Sequence, residues 1–355
     1  MKSGTHLRTG ALVLFALLAF ALQPSAWGQT FTTFDPPGSQ LTAPGNINAV
    51  GQIAGTYFEA DFSSHGFVRN PDGTINSFDV PGFLATVIIT QQGVVVGIYF
   101  DANGSHLFER APNGTITTLE IPSPGASVYA VVVNTSGAMA GGFFDANGVV
   151  NGFIRSPGGK FNLFPMPSSL SPSFFIPNFA ALTQTGTIVG SFVDQFFNNH
   201  GYLLSPNGNL SFFDVPNATS TAPTAVNDSG NIAGFFSDGS ENGKYRVFLR
   251  SPSGTFTTFD TPQPGSFFGL AVLNPSGAVA GSAFNSSCDD VTCTTTVVSF
   301  QRGLNRIVTP VNDPLAVQGT QSAQGTEVLG INPAGVMFGA YFDSNGMQHG
   351  FVAKP

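Results

Sequence analysis

Charge is scarce in this 355-residue chain. Only 9% of its residues are Asp, Glu, Lys or Arg, against about 25% in ordinary soluble domains. Solubility therefore rests on Ser, Thr, Asn and exposed backbone. Basic residues are scarcer still: 12 Lys and Arg stand against 20 Asp and Glu, a formal net charge of −8. That balance makes nucleic acid and anionic membranes poor partners. The one Trp, Trp27, lies in the opening segment, so the rest of the chain has no indole platform for stacking sugars. Two cysteines, Cys288 and Cys293, are too few for a disulfide framework. In an exported chain they are expected to close one small loop as a disulfide, since no His lies near them in sequence to complete a metal site. There is no Gly-x-Ser-x-Gly elbow, no His-Glu-x-x-His and no phosphate-cradling Gly loop.

Long apolar runs are also missing, save one from Ala11 to Leu22. Lys2 and Arg8 precede it, and small residues follow around Ala26-Trp27-Gly28. A basic start, a short hydrophobic stretch and a small-residue cleavage site make a secretory signal layout. The run falls short of the roughly 20 apolar residues a spanning helix needs. Residues 1–28 are therefore read as a signal peptide. Residues 29–355 are read as one exported domain without a membrane span, cell-exterior or periplasmic, and monomeric.

What is abundant is Gly (43), Phe (36) and Pro (25). So many Phe can bury too much apolar surface for a disordered chain. They are organised in seven copies of one phrase, whose turn glycines are Gly51, Gly93, Gly137, Gly186, Gly230, Gly277 and Gly335. The mean spacing of about 47 residues, with four short strands per copy, signals propeller blades. The first strand ends in Asn-x-x-Gly, as in Asn134-Thr135-Ser136-Gly137: Asn opens the turn through its own backbone and Gly accepts positive φ. The second carries Ile or Val, then Gly, then aromatics, as in Ile188-Val189-Gly190-Ser191-Phe192. The third reads His-Gly-aromatic, and a Pro-x-Gly turn leads to a fourth that ends Phe-Asp, as at Phe213-Asp214. Pairing Phe58 with His65 would set Tyr57 over Gly66, Phe192 over Gly201 and Tyr341 over Gly350, each ring covering bare backbone.

The seventh copy stops at Phe351-Val352-Ala353-Lys354-Pro355 without its closing segment, while that segment stands alone at Phe31-Thr32-Thr33-Phe34-Asp35. The expected fold is all-β: a seven-bladed β-propeller, four antiparallel strands per blade, closed by the N-terminal strand completing the last blade. The triplets His65-Gly66-Phe67, His200-Gly201-Tyr202 and His349-Gly350-Phe351, altered at His106-Leu107-Phe108 and Asn151-Gly152-Phe153, resemble those of the extracellular HAF-type repeat proteins. The resemblance covers nearly the whole mature chain and implies export and a propeller-like array. It transfers no activity to a residue.

In such a blade the second-to-third loop and the link to the next blade share one face. The irregular stretches gather there: Ser237 to Arg246, Asn285 to Thr296, Pro165 to Asn178 and Thr309 to Thr326. Insertions on one face of an array mark a binding face. The same side carries a repeated polar set. Strand two ends in Glu59, Asp101, Asp145, Asp194, Asp238, Asn285 and Asp343; strand three begins with His65, His106, His200 and His349. Strand four ends with Asp35, Asp79, Glu120, Asp214 and Asp260. A His flanked by carboxylates can be catalytic or bind metal. Its recurrence in most blades favours a structural tetrad tying strand ends, with Asp79 near His65 and Glu59. Arg69, Arg110, Arg155 and Arg250 end strand three on the opposite face, where they are expected to bond turn carbonyls.

Three functions follow as expectations. The first is an exported, non-enzymatic binding or scaffold propeller with an unknown protein or glycan ligand and no cofactor. The second is an extracellular polysaccharide lyase or hydrolase at the channel mouth, using residues that break the repeat: Glu241, Lys244, Tyr245, Arg246, Asp289, Asp290 and Glu327. The third is calcium-dependent adhesion through the Asp-x-Asn-Gly turns at Asp101, Asp145 and Asp343, which lack the later Glu of a calcium loop and also serve as plain turns.

Overall fold

The computed structural model describes residues 29–170, 176–239, 244–263, 267–288, 293–317 and 323–355. The expected signal segment, residues 1–28, lies outside the described residues, as do Glu241, Asp289 and Asp290. Among the described residues are 28 strands and a single 3-10 turn, Ser168–Leu170. No described helix is long and apolar enough to cross a membrane.

The strands form blades of four antiparallel strands in sequence order. Unit four shows the pattern: Asn178–Leu182, Ile188–Val193, Asn199–Leu204 and Leu210–Phe213, each paired with the next. Units two to five are separate four-stranded sheets. Units six, seven and one run together in a 12-stranded sheet through short parallel contacts, Thr295–Val297 beside 323–325 and Leu41 beside Gln348. The early strand Thr30–Phe34 pairs antiparallel with Gln348–Lys354, Phe34 opposite Gly350.

The core lies between blades, and aromatic rings laid over glycine build it. The aromatic of each His-Gly-aromatic position is fully buried: Phe67, Phe108, Phe153, Tyr202, Phe248, Phe300 and Phe351 all have 0% exposure. Phe67 crosses Gly55 of the neighbouring strand so closely that a Cβ there would lie 2.7 Å from its ring. The strand-three glycine is covered in the same way, but by strand four. A Cβ on Gly66 would sit 2.2 Å from the Phe78 ring, and one on Gly201 would sit 2.6 Å from Phe213. This corrects the expected register by one residue. Tyr57 faces His65, Phe192 faces His200 and Tyr341 faces His349. A strand slipped by one place would turn its apolar face outward, so burial of the strand-two residues holds this pairing.

Three of the third-strand arginines, Arg69, Arg110 and Arg250, bond the next carbonyl, as Arg69 Nη1 does to Asn70 at 3.1 Å, whereas Arg155 pairs with Glu109 at 3.1 Å and lies over Phe161 of its own unit. The first three also lie over the closing Phe of the preceding unit, Arg69 over Phe34 at 5.0 Å, Arg110 over Phe78 at 5.1 Å and Arg250 over Phe213 at 5.0 Å. Each closing Phe is thus held by a glycine in its own blade and a guanidinium from the next.

The irregular connections differ in kind. In unit six the expected insertion is a hairpin of two ten-residue strands, Val279–Cys288 and Cys293–Arg302, with Cys288 opposite Cys293 in register.

Candidate active site

Three strand-three histidines, His65, His200 and His349, stand beside the carboxylates that follow strand four, while His106 pairs with Asp101 of strand two. His65 Nδ1 is 2.6 Å from Asp79, with Glu59 at 3.9 Å from Nε2. His106 Nε2 is 2.9 Å from Asp101. His200 Nδ1 is 2.9 Å from Asp214 and its Nε2 is 3.3 Å from Asp194. His349 Nδ1 is 2.7 Å from Asp35, with Asp343 at 3.6 Å from Nε2. Burial alone would lower the pKa of His200, but hydrogen bonds and charge from Asp214 and Asp194 outweigh it and hold the imidazole above its ordinary value. His349 is raised in the same way by Asp35 and Asp343. The repeat also admits substitutes at the histidine position. In unit five Arg246 faces Phe236 and bonds Asp260 at 2.5 Å through Nε; in unit three Asn151 faces Phe143.

The strand-two carboxylates are engaged by their own turns. Asp145 Oδ1 accepts the amides of Asn147 at 2.9 Å and Val149 at 3.0 Å, and Asp343 Oδ1 accepts those of Asn345 and Met347 at 2.8 and 2.9 Å. Asp101 accepts the Asn103 amide. These are turn-capping contacts. Among the described residues, no three His, Cys, Asp or Glu gather as a metal site. Asp238 follows strand two of unit five, which ends at Ser237.

The residues expected at a channel mouth are not brought into one described constellation. Arg246 has the histidine place of unit five and stacks over Phe236 at 5.5 Å. Tyr245 opens the same strand, directly after Lys244, and burial raises its pKa. Glu327 lies on the first strand of unit seven opposite Ala340, and burial raises its carboxyl.

What the structure does assemble is a cleft of about 620 Å³ in unit four, lined by Ser169, Phe192, Asp194, Gln195, Phe196, His200, Phe212 and Asp214. Phe192 lies 5.4 Å from the His200 ring and 5.2 Å from Phe212. The cleft arises where unit four departs from its repeat. The other three repeat histidines face Tyr57, Tyr99 and Tyr341, and the hydroxyls of the last two share hydrogen bonds with strand-four threonines, Tyr99 with Thr118 at 3.0 Å and Tyr341 with Thr33 at 3.1 Å. Unit four has Phe192 and Phe212 at these places, so an apolar wall replaces a polar pair. Its turn changes too. Asp-x-Asn-Gly becomes Asp194-Gln195-Phe196-Phe197, which leaves Phe196 72% and Phe197 74% exposed. Insertions do not mark these four Phe; the signal in the sequence is substitution inside a regular unit. A second cavity of about 570 Å³ beside His106 and Glu120 in unit two has no such walls; it is lined by the link Ile121 to Ala126.

No protein-family model matches the chain, and no curated protein matches it by sequence. Solved structures do match its fold. A streptogramin B lyase superposes with a TM-score of 0.62 at 15% identity, covering 92% of this chain and 98% of that one. A catalytically inactive His-to-Ala variant of virginiamycin B lyase from Staphylococcus aureus, solved with quinupristin, gives 0.58 at 16% identity, covering 92% and 100%. The β-propeller domain of the Trilobed protease from Pyrococcus furiosus gives 0.58 at 9% identity, covering 88% and 94%. The fold is therefore of propeller type. These neighbours also correct the expectation of a non-enzymatic binding or scaffold module: propellers of this extent include lyases along their whole length.

Proposed function

We propose that the chain is an exported seven-bladed propeller, closed by Thr30–Phe34, that acts as a lyase at the unit-four cleft. The His-Gly-aromatic phrase keeps the HAF-type resemblance within this reading, and the layout of residues 1–28 supports export. The pairing of Thr30–Phe34 with Gln348–Lys354 supports closure.

One observation carries the catalytic part: His200 sits between two carboxylates on the wall of an aromatic cleft. Asp214, on Nδ1, orients the ring and holds a proton there. Asp194, at the longer 3.3 Å, is the partner a substrate can displace from Nε2. Nε2 then takes a proton, as general base, from the carbon next to the one that bears the leaving group; the C–H electron pair becomes a new C=C bond as the bond to the leaving group breaks, and the imidazolium returns the proton to that group. The neighbouring lyases supply the reaction class, and one of them is inactive as a His-to-Ala variant.

Quinupristin serves as the probe substrate. A lyase cleaves without adding water, so product mass equals substrate mass, whereas hydrolysis adds one water. The expected result is mass-neutral cleavage that falls by at least about 10²-fold in His200→Gln and persists in His65→Gln. Because the base must be neutral, kcat/KM should rise with pH through a pKa above the ordinary imidazole value. No mass-neutral cleavage by the parent, or full activity in His200→Gln, overturns the reading.

A further inference from the structure

From its walls and its charge, we infer that the unit-four cleft takes a substrate that presents an aromatic or apolar group next to a positive charge, and that it rejects anions. This rests on the cleft being the reactive site proposed above.

Three observations point the same way. The walls are the rings of Phe192, Phe196 and Phe212, and Phe196 and Phe212 remain 72% and 50% exposed. Rings so exposed at a cleft mouth offer stacking faces, and their faces attract cations. The titratable groups in the cleft are two carboxylates, Asp194 and Asp214, against a single imidazole, with Ser169 and Gln195 as neutral polar groups. Even with His200 protonated, the cluster is left with net negative charge. Finally, the sequence has no Lys or Arg from Phe161 to Gly243, so no cation in this unit offsets the carboxylates. Uronates, phosphates and other anions would meet repulsion without a counter-charge. An acidic polysaccharide therefore does not fit this cleft.

The turn itself departs from the Gly-bearing form, as it does in unit one, where Phe62 has φ 64°. Phe197 has φ 66°, the left-handed region, where the equivalent positions of units three and seven carry Gly148 and Gly346 at 76° and 79°. A bulky residue there is strained. Of the two adjacent Phe in this turn, Phe196 lines the cleft.

The test is isothermal titration of the full chain with benzyltrimethylammonium, tetramethylammonium and phenylacetate. Benzyltrimethylammonium should bind at least about tenfold tighter than either of the others, since only it offers both ring and charge. Phe196→Ala and Phe212→Ala should each weaken it several-fold while the melting temperature stays near that of the parent. His200→Gln should bind it at least as well, because the carboxylates remain. Equal affinity for phenylacetate, no binding of any probe, or unchanged binding in both Phe variants overturns the inference. Binding needs no turnover, so the two readings separate. Loss of activity in His200→Gln without cation selectivity sinks only this one; selectivity with activity retained in His200→Gln sinks only the catalytic one.

Discussion

Two exposed phenylalanines show what a repeat conceals. Phe62 and Phe197 occupy the turn position that Gly148 and Gly346 hold elsewhere, with φ of 64° and 66°. The left-handed conformation costs an L-residue about 1–2 kcal/mol, and glycine almost nothing. Phe62→Gly trades that strain against the greater freedom of glycine in the unfolded chain. It should therefore leave stability within about 0.5 kcal/mol of the parent or raise it. Gly148→Ala, at φ 76°, should lower stability by about 1 kcal/mol. Chemical denaturation of the two variants side by side checks this. If Phe62→Gly is the more damaging, the ring makes a structural contact that outweighs its strain.

Within a blade, the order of rings over glycines sets how strands meet. The His-Gly-aromatic phrase pointed to a glycine that needs a ring above it, and it has one. The ring belongs to strand four, because Tyr57, Phe192 and Tyr341 are drawn instead to the imidazoles they face. Counting along the sequence could not separate these choices, since both place an aromatic beside glycine and differ by one step of register. Gly201→Ala tests the observed one. Its Cβ would fall 2.6 Å from the Phe213 ring, and overpacking of this kind costs about 1–3 kcal/mol. Unchanged stability in denaturation would mean that the ring swings aside. Each first strand also carries a bulge, as at Pro44/Asn46 and Leu84/Thr86, that no turn residue announces. The turn asparagines reach farther than their own loops: Asn134 donates to the Thr183 carbonyl at 2.9 Å and Asn227 to the Asn274 carbonyl at 3.2 Å, linking neighbouring blades.

Across the molecule as a whole, the strand near the N-terminus pairs with the last strand of the chain. Phe34 covers Gly350, whose Cβ would lie 2.6 Å from the ring, and carries Arg69 of the first unit on its other side. Asp35 accepts from Thr42 at 2.6 Å and stands 2.7 Å from His349. One short segment thus ties the last blade to the first. If this segment closes the array as proposed, the parent should melt in one cooperative transition, and removing residues 29–38 should split or broaden it as the opened units melt separately. A melting curve that keeps its midpoint and steepness would show that the segment closes nothing.

Blade pattern, strand order and the partnership of Thr30–Phe34 with the C-terminal strand were legible in the chain. They follow from local signals, Asn-x-x-Gly turns, Pro-x-Gly turns and a missing segment, and each acts over a few residues. The histidine–carboxylate pairs were legible for the same reason, since hairpin counting carries Asp79 to His65. The cleft was not, because Phe192, Phe196 and Phe212 belong to three different stretches of one unit. Each looks like one more aromatic in a chain with 36 Phe. Folding is what sets their rings on one side of His200, where loss of two hydroxyl partners opens an apolar wall beside two carboxylates.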